Sequence, residues 1–269
     1  ILMGGDRMFY FLSIFIFLVS LSSPAFGQAD YRNLDPGRPI TIEDAQPIEF
    51  RAFEFSFGSR YGRHQEGYEL SFEPELKWGF AKNWQVGVSG ERAVLDDGQR
   101  TDVLAGTEFH FLYNLNQEGF DLPAIAFRPE LTFGAGDLGT DHPHGALKVI
   151  VSKTFGFNRV HLNGSYTIGP TEISGRGGEL VNRYLYGIAY ERTAPIEFFV
   201  LLFDLYAAAP IDGGRREIIY DLGTRIQMTP TWVFDAGFFH AIRSEDLDFG
   251  VTVGFSYVFS PRSIFPKGL

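Results

Sequence analysis

Between Phe53 and Phe259 apolar and polar residues alternate in short blocks. In "LSFEPELKWGF" the set Leu70, Phe72, Pro74, Leu76, Trp78 and Phe80 is interleaved with Ser71, Glu73, Glu75, Lys77 and Gly79. A period of two is that of an extended strand, whose successive side chains point to opposite faces. The same period recurs in Phe53, Phe55 and Phe57, in Trp84, Val86 and Val88, in Phe109, Phe111 and Tyr113, and on through Tyr184, Tyr186, Ile188 and Tyr190 to the block Phe249 to Phe259. Helical recurrence at three and four is absent. The pattern predicts about twelve short strands, an even number, the last ending at Phe259 and leaving "SPRSIFPKGL" as a tail.

The connections alternate as well. "AKN" at 81–83, "FNR" at 157–159 and "TPT" at 229–231 are tight turns, whereas "GRHQEG", "RAVLDDGQRT", "GAGDLGTDHPHG", "GPTEISGRGGELVN", "AAAPIDGGRR" and "AIRSEDLD" are longer polar links. Short turns on one rim and longer loops on the other are the signature of a transmembrane antiparallel β-barrel of the outer-membrane type. An even strand count puts both ends of the barrel on the short-turn, periplasmic side. Aromatic residues then gather in two belts, Trp78, Phe80, Trp84, Tyr113, Tyr190, Trp232, Tyr257 and Phe259 at one level and Tyr61, Tyr68, Tyr184, Tyr186 and Phe249 at the other.

Upstream, Arg7 precedes the uncharged run "MFYFLSIFIFLVSLSS" and the small-residue segment "PAFGQAD", which reads as an exported chain's signal peptide over 1–27. Residues 28–48 form a lead segment, periplasmic or plug-like; 49–260 are the barrel and 261–269 the tail. The expected location is the outer membrane of a bacterial-type cell, and the barrel is expected to be a monomer in contact with outer-membrane lipid.

Composition sharpens this picture. Of 269 residues, 16% are aromatic, with 28 Phe and 12 Tyr against 3 Met, which favours strands over helices. A net charge of −10 excludes a nucleic-acid partner, because phosphate binding needs a basic face. With no Cys there is no disulfide, thiolate metal site or thiol nucleophile.

If the apolar set faces lipid, the intervening set faces the lumen. It holds Glu54, Glu73, Glu75, Lys77, Glu91, Glu108, His110, Arg128, Glu130, Lys148, His161, Arg183, Glu191, Asp204, Glu217, Asp221, Arg225 and Asp235. Buried charge of this density demands a wet pore or a network of ion pairs across the lumen. The candidate binding residues are Glu73, Glu75, Lys77, Glu108, Arg128, Glu130, Lys148, Arg183, Asp221 and Arg225, the cations either contacting solute or only neutralising the acids. Pro74 and Pro129, in the echoing "FEPEL" and "FRPEL", predict β-bulges, since proline lacks a ladder donor.

Other motifs point to weaker chemistry. Gly134, Gly136 and Gly139 match a dinucleotide fingerprint in spacing, but no helix pattern follows, so no cofactor is expected. Asp141, His142 and His144 are too few for a closed metal site. His161 with Ser165, and His240 with Ser244, are the nearest pairs for a lipid hydrolase, neither with an orienting acid at a defined spacing.

The segments "RPITIEDAQPIE" and "EPELKWGFAKNWQVGV" together resemble the outer-membrane transporter family associated with the meta pathway of phenol degradation. The resemblance implies a single-chain outer-membrane barrel that transports small organic solutes, hydrophobic or aromatic ones included. It supplies no binding or catalytic residues. The reading is therefore a channel or facilitator rather than an enzyme, with two alternatives: a lipid-hydrolysing barrel, or a sealed barrel that binds a partner through its loops.

Overall fold

The alternating blocks become twelve antiparallel strands in the computed structural model, which describes residues 30–65, 67–96, 101–134, 142–169, 182–193, 195–211, 214–244 and 246–260. They are β1 (Phe53–His64), β2 (Tyr68–Ala81), β3 (Trp84–Asp96), β4 (Thr101–Asn116), β5 (Ala124–Gly134), β6 (His144–Phe155), β7 (Asn158–Ile168), β8 (Arg183–Arg192), β9 (Phe199–Pro210), β10 (Glu217–Thr229), β11 (Trp232–Arg243) and β12 (Leu247–Phe259). Each strand pairs with its neighbours in sequence, and β1 closes the barrel on β12, from Phe53 opposite Phe259 to Arg63 opposite Phe249. Closure gives every strand a partner on both sides and leaves no edge, which is the condition for strands to cross a bilayer. Residues 1–27, expected from the sequence to be a signal peptide, the tail 261–269 and Gly136, Gly139 and Asp141 lie outside the described residues.

Short turns and long links fall on opposite rims. Asn83, at φ 64°, supplies the left-handed residue of the tight turn between β2 and β3. The outward positions are apolar and exposed, among them Leu76, Phe111, Leu131, Leu147, Phe203, Leu222 and Val253. On the short-turn rim the rings join into a belt. Phe53 stacks on Trp78 at 5.7 Å and on Phe259 at 5.6 Å, Trp84 on Tyr113 at 4.3 Å, and Trp232 meets Tyr257 at 4.7 Å. Tyr61 with Tyr68 (5.8 Å) and Tyr166 with Tyr184 (5.0 Å) mark the opposite rim.

The prolines correct an expectation. Neither Pro74 nor Pro129 makes a bulge: Pro74 pairs in register with Phe57 of β1, and Pro129 with Leu147 of β6. On their other sides the ladder merely skips. Phe72 and Glu75 face Arg92 and Ser89, and His110 and Tyr113 face Glu130 and Phe127, with equal spacing on both strands. A strand residue directs its N–H toward one neighbour only, so a missing donor loosens one ladder without displacing the register. The register shifts occur elsewhere, at positions such as Arg63/His64, Glu91/Arg92 and Asn114/Asn116.

Inside the barrel lies the chain itself. Residues 30–52 start at the short-turn rim, where Tyr31 meets Phe198 edge-on at 6.2 Å, rise to Pro39 near the middle, and return to β1. Room at the top of this hairpin comes from glycine. A Cβ added to Gly223 would meet Pro39 Cβ at 2.8 Å, and one on Gly237 would strike the Pro39 carbonyl. The segment packs asymmetrically. Leu34, Ile40 and Ile42 join Ala189, Val200, Leu202, Tyr206, Ile219 and Phe239 in an apolar cluster against β8 to β11, while the acids Asp35, Glu43 and Asp44 turn to β2, β5, β6 and β7. The lumen is thus not lined by polar residues all round, as the alternation implies, because Val200, Leu202, Ile219 and Phe239 occupy inward positions.

Pro74→Val should preserve the register and stabilise the barrel by about 1 kcal/mol, since it restores one ladder hydrogen bond. Urea unfolding in detergent micelles checks this. A loss of stability would show that the proline shapes the strand after all.

Candidate functional site

With prolines at 36, 39 and 47, the stretch "DPGRPITIEDAQP" can form neither helix nor a paired strand, so its backbone groups need other partners. The wall supplies them from side chains. Asp204 Oδ2 accepts from the Thr41 and Ile42 amides at 2.8 Å each, Asn163 Oδ1 from Glu43 at 3.1 Å, Ser152 Oγ from Ala45 at 3.0 Å and Gln85 Oε1 from Ile48 at 2.9 Å. In return Asn114 donates to the Ala45 carbonyl at 2.8 Å and Asn163 to that of Glu43 at 2.9 Å.

Side-chain charges complete the attachment at three places. On β1 and β2, the Lys77 ammonium lies against Asp35, with Glu54 at 2.7 Å and Glu75 at 3.6 Å. Arg38 bridges from Asp35 (3.1 Å) to Asp235 of β11 (2.7 Å). On β4 to β6, Glu43 receives Arg128 at 2.6 Å and also Lys148; Arg128 in turn holds Glu108 (2.9 Å) and Glu130 (3.0 Å). On β7 and β8, Glu191 is shared by Arg32 (2.7 Å) and Arg159 (3.2 Å), and Arg159 reaches Asp44 at 3.4 Å. Apart from Arg32 and Glu108 these groups are largely buried, so removing the partner of a buried one would leave a desolvated charge at a cost of roughly 3–5 kcal/mol.

The acids of the inner segment respond to this setting in different directions. Burial raises the Asp35 carboxyl, but Lys77 and Arg38 overcome it and hold the group below the usual range. Burial likewise opposes ionisation of Glu43, and Arg128 and Lys148 outweigh it. For Asp44 burial wins over Arg159 and His161 and pushes the carboxyl up to about 6.

All ten candidate residues have inward register, and the segment changes what they do. Lys77, Arg128, Lys148 and Asp221 bind it directly, the last through Thr41 Oγ1 at 2.8 Å. Glu75, Glu108 and Glu130 complete the charge balance around those cations, while Arg183 pairs with Glu217 at 2.7 Å on the long-loop rim. Glu73 is exposed, and Arg225 is 2% exposed with two guanidinium nitrogens that have no hydrogen-bond partner among the described residues. Among the described residues a cavity of about 10 Å³, room for one water, is left between the segment and β2 to β5.

The hydrolase pairs are not assembled. Ser244 donates to Glu217 at 3.0 Å and His240 faces Asp248 at 3.8 Å. His161 pairs instead with Ser152, 2.8 Å from Nδ1, and with Glu191, 3.3 Å from Nε2. This serine-histidine-glutamate row lies 0–1% exposed beneath Ala45, whose amide occupies the Ser152 oxygen. It is a latch for the segment, since a nucleophile needs access to its substrate.

Asp35, Arg38, Thr41, Glu43 and Asp44 are the site residues that strand periodicity does not find. Their one signal is the density of charge and proline in a segment without period.

No family model matches the sequence, and no curated protein matches it. Among solved structures the chain is similar to an outer-membrane channel from Pseudomonas putida F1, with TM-score 0.61 and 12% identity over 84% of this chain and 100% of that one. It is also similar to KdgM porin, with TM-score 0.52 and 12% identity over 75% and 98% of the two chains. KdgM porin in complex with disordered oligogalacturonate aligns at TM-score 0.53, 12% identity, and 77% and 98% coverage. At this identity the likeness is one of fold, and the fold is that of the twelve-stranded outer-membrane β-barrels.

Asp44 gives a pH test of the attachment. A proton binds the docked carboxyl more tightly than a solvated one, so docking strengthens as pH falls from above about 6 toward 4. The gain is at most on the order of a hundredfold. Asp35 and Glu43, being depressed, oppose it only at lower pH, where they too are protonated. Hydrogen exchange at the Ile42 and Ala45 amides, corrected for intrinsic rate, should slow between pH 7 and 5 in the native protein and lose that extra slowing in Asp44→Asn.

Proposed function

We propose that the chain is an outer-membrane channel for small organic solutes, closed in the described state by residues 30–52 acting as a plug. The observation that carries this reading is the plug's asymmetric seat. Its acids are held by ion pairs to β2 and β5 to β7 and its arginines by ion pairs to β8 and β11, whereas Ile40 and Ile42 lie on an apolar wall formed by β8 to β11. A barrel that needed only to be filled would be stabilised at least as well by apolar packing, because buried ion pairs contribute little net stability. A seat held by charge and hydrogen bonds can instead be exchanged for water and solute.

Shifting the hairpin away from β8 to β11 would uncover a lane lined by Val200, Leu202, Tyr206, Ile219 and Phe239, with the acids of β9 and β10 beside it. That lining favours solutes with an aromatic or aliphatic body and a polar end. The resemblance to the transporter family of the phenol meta pathway supports the same class of solute, and the fold shared with outer-membrane channels supports the channel role alone. Long loops then face the exterior, the short turns and both barrel ends face the periplasm, and the leading apolar run serves in export. The barrel works as a monomer whose only obligatory surroundings are lipid.

Proteoliposome flux tests the reading. A membrane-impermeant aromatic such as phenylalanine should enter several times faster than a monosaccharide of similar size, and Gly223→Val, which crowds Pro39, should accelerate both. If neither solute passes in the native protein or the variant, the channel reading fails.

A further inference from the structure

The outward face of β7 to β10 is dented near the long-loop rim. At the short-turn ends of β11 and β12 large residues stand side by side, as Trp232, Phe234 and Phe255 do with ring centroids 5.4–6.2 Å apart. Near the long-loop ends of β7 to β9, Tyr186 instead lies opposite Gly164 on one side and Ala207 on the other, and Tyr184 lies opposite Ala209. A tyrosine ridge between small residues leaves two furrows. One, of about 600 Å³, runs between this ridge and Leu147 and Val149. The other, of about 540 Å³, runs between the ridge and Ile218.

Arg216 lines both furrows, just before β10 begins. It has the same outward parity as Ile218 and Tyr220, is exposed, and makes no ion pair with any described residue. A guanidinium with no ion pair among the described residues, at the head of two parallel apolar furrows, matches a lipid with more than one acyl chain and an anionic head. Bulk lipid alone needs neither a dented belt nor a fixed cation.

We propose that this face is a seat for lipid A: two acyl chains of one molecule lie on either side of Tyr186 and a phosphate rests on Arg216. The choice of a phosphorylated glycolipid rests on the orientation given above, which places the long-loop rim in the outer leaflet. The polar ends of Tyr184 and Tyr186 belong at the same interface, where amphipathic rings meet headgroups. Chain burial supplies the affinity, and the phosphate contact sets the depth.

Native mass spectrometry of the full-length protein in detergent tests the seat with three probes: bisphosphorylated lipid A, its dephosphorylated form, and phosphatidylglycerol. The native protein should retain bisphosphorylated lipid A best, and Arg216→Gln should weaken that retention about tenfold. Ala207→Phe, which fills one furrow, should weaken both forms of lipid A. Heat-modified gel migration verifies that the variants fold, and Arg216→Gln alters only an exposed side chain. Equal retention in the native protein and both variants would overturn the proposal, as would phosphatidylglycerol bound as tightly as lipid A. Neither substitution touches the plug, so solute flux would be unchanged and a failure here would leave the channel reading standing.

Discussion

A closed strand barrel that crosses a membrane must give its polar side chains to the inside, and the inside then has to balance their charge without bulk water. Here the wall does this incompletely by itself. Lys77, Arg128, Lys148 and Arg159 find part of their counter-charge on neighbouring strands and the rest on Asp35, Glu43 and Asp44 of the inner segment. The wall's hydrogen-bonding side chains, Gln85, Asn114, Ser152, Asn163 and Asp204, are likewise completed by the backbone of that segment. Barrel and segment are therefore two halves of one polar network.

Two other features follow from this dependence. The segment approaches the wall closely enough that Gly223 and Gly237 must lack side chains around Pro39. Its attachment also responds to solvent conditions, because ion pairs and an Asp44 carboxyl raised to about 6 are sensitive to pH and hydration in a way that apolar packing is not. The apolar cluster on β8 to β11 lacks this sensitivity. In the proposed channel, opening exchanges charged partners for water while an apolar wall becomes available to solute.

Much of the barrel is legible in the chain, because one face of every strand must satisfy lipid. That requirement makes Trp78, Leu131, Tyr186 and Val253 apolar and thereby reveals their inward neighbours, including all ten candidate residues. What those neighbours bind is not legible, since Asp35 and Glu43 belong to a segment with no period of its own. The apolar half of the lumen leaves a trace in "FFVLLF", where Val200 and Leu202 break the alternation: a continuous apolar run marks a strand buried on both faces. Pro74 and Pro129 mislead because a missing donor need only relax one of a strand's two ladders.

On the proposed function, the inner segment closes the barrel reversibly. A chain with no native cysteine allows this to be tested cleanly. Thr41 and Asp221, whose side chains meet at 2.8 Å, would be replaced as Thr41→Cys and Asp221→Cys, and single-channel current recorded in planar bilayers before and after reduction. The account predicts negligible current while the disulfide holds the segment in place and clear openings once it is reduced. Equal current in the two states would show that solute passes without moving the segment, and would contradict the account.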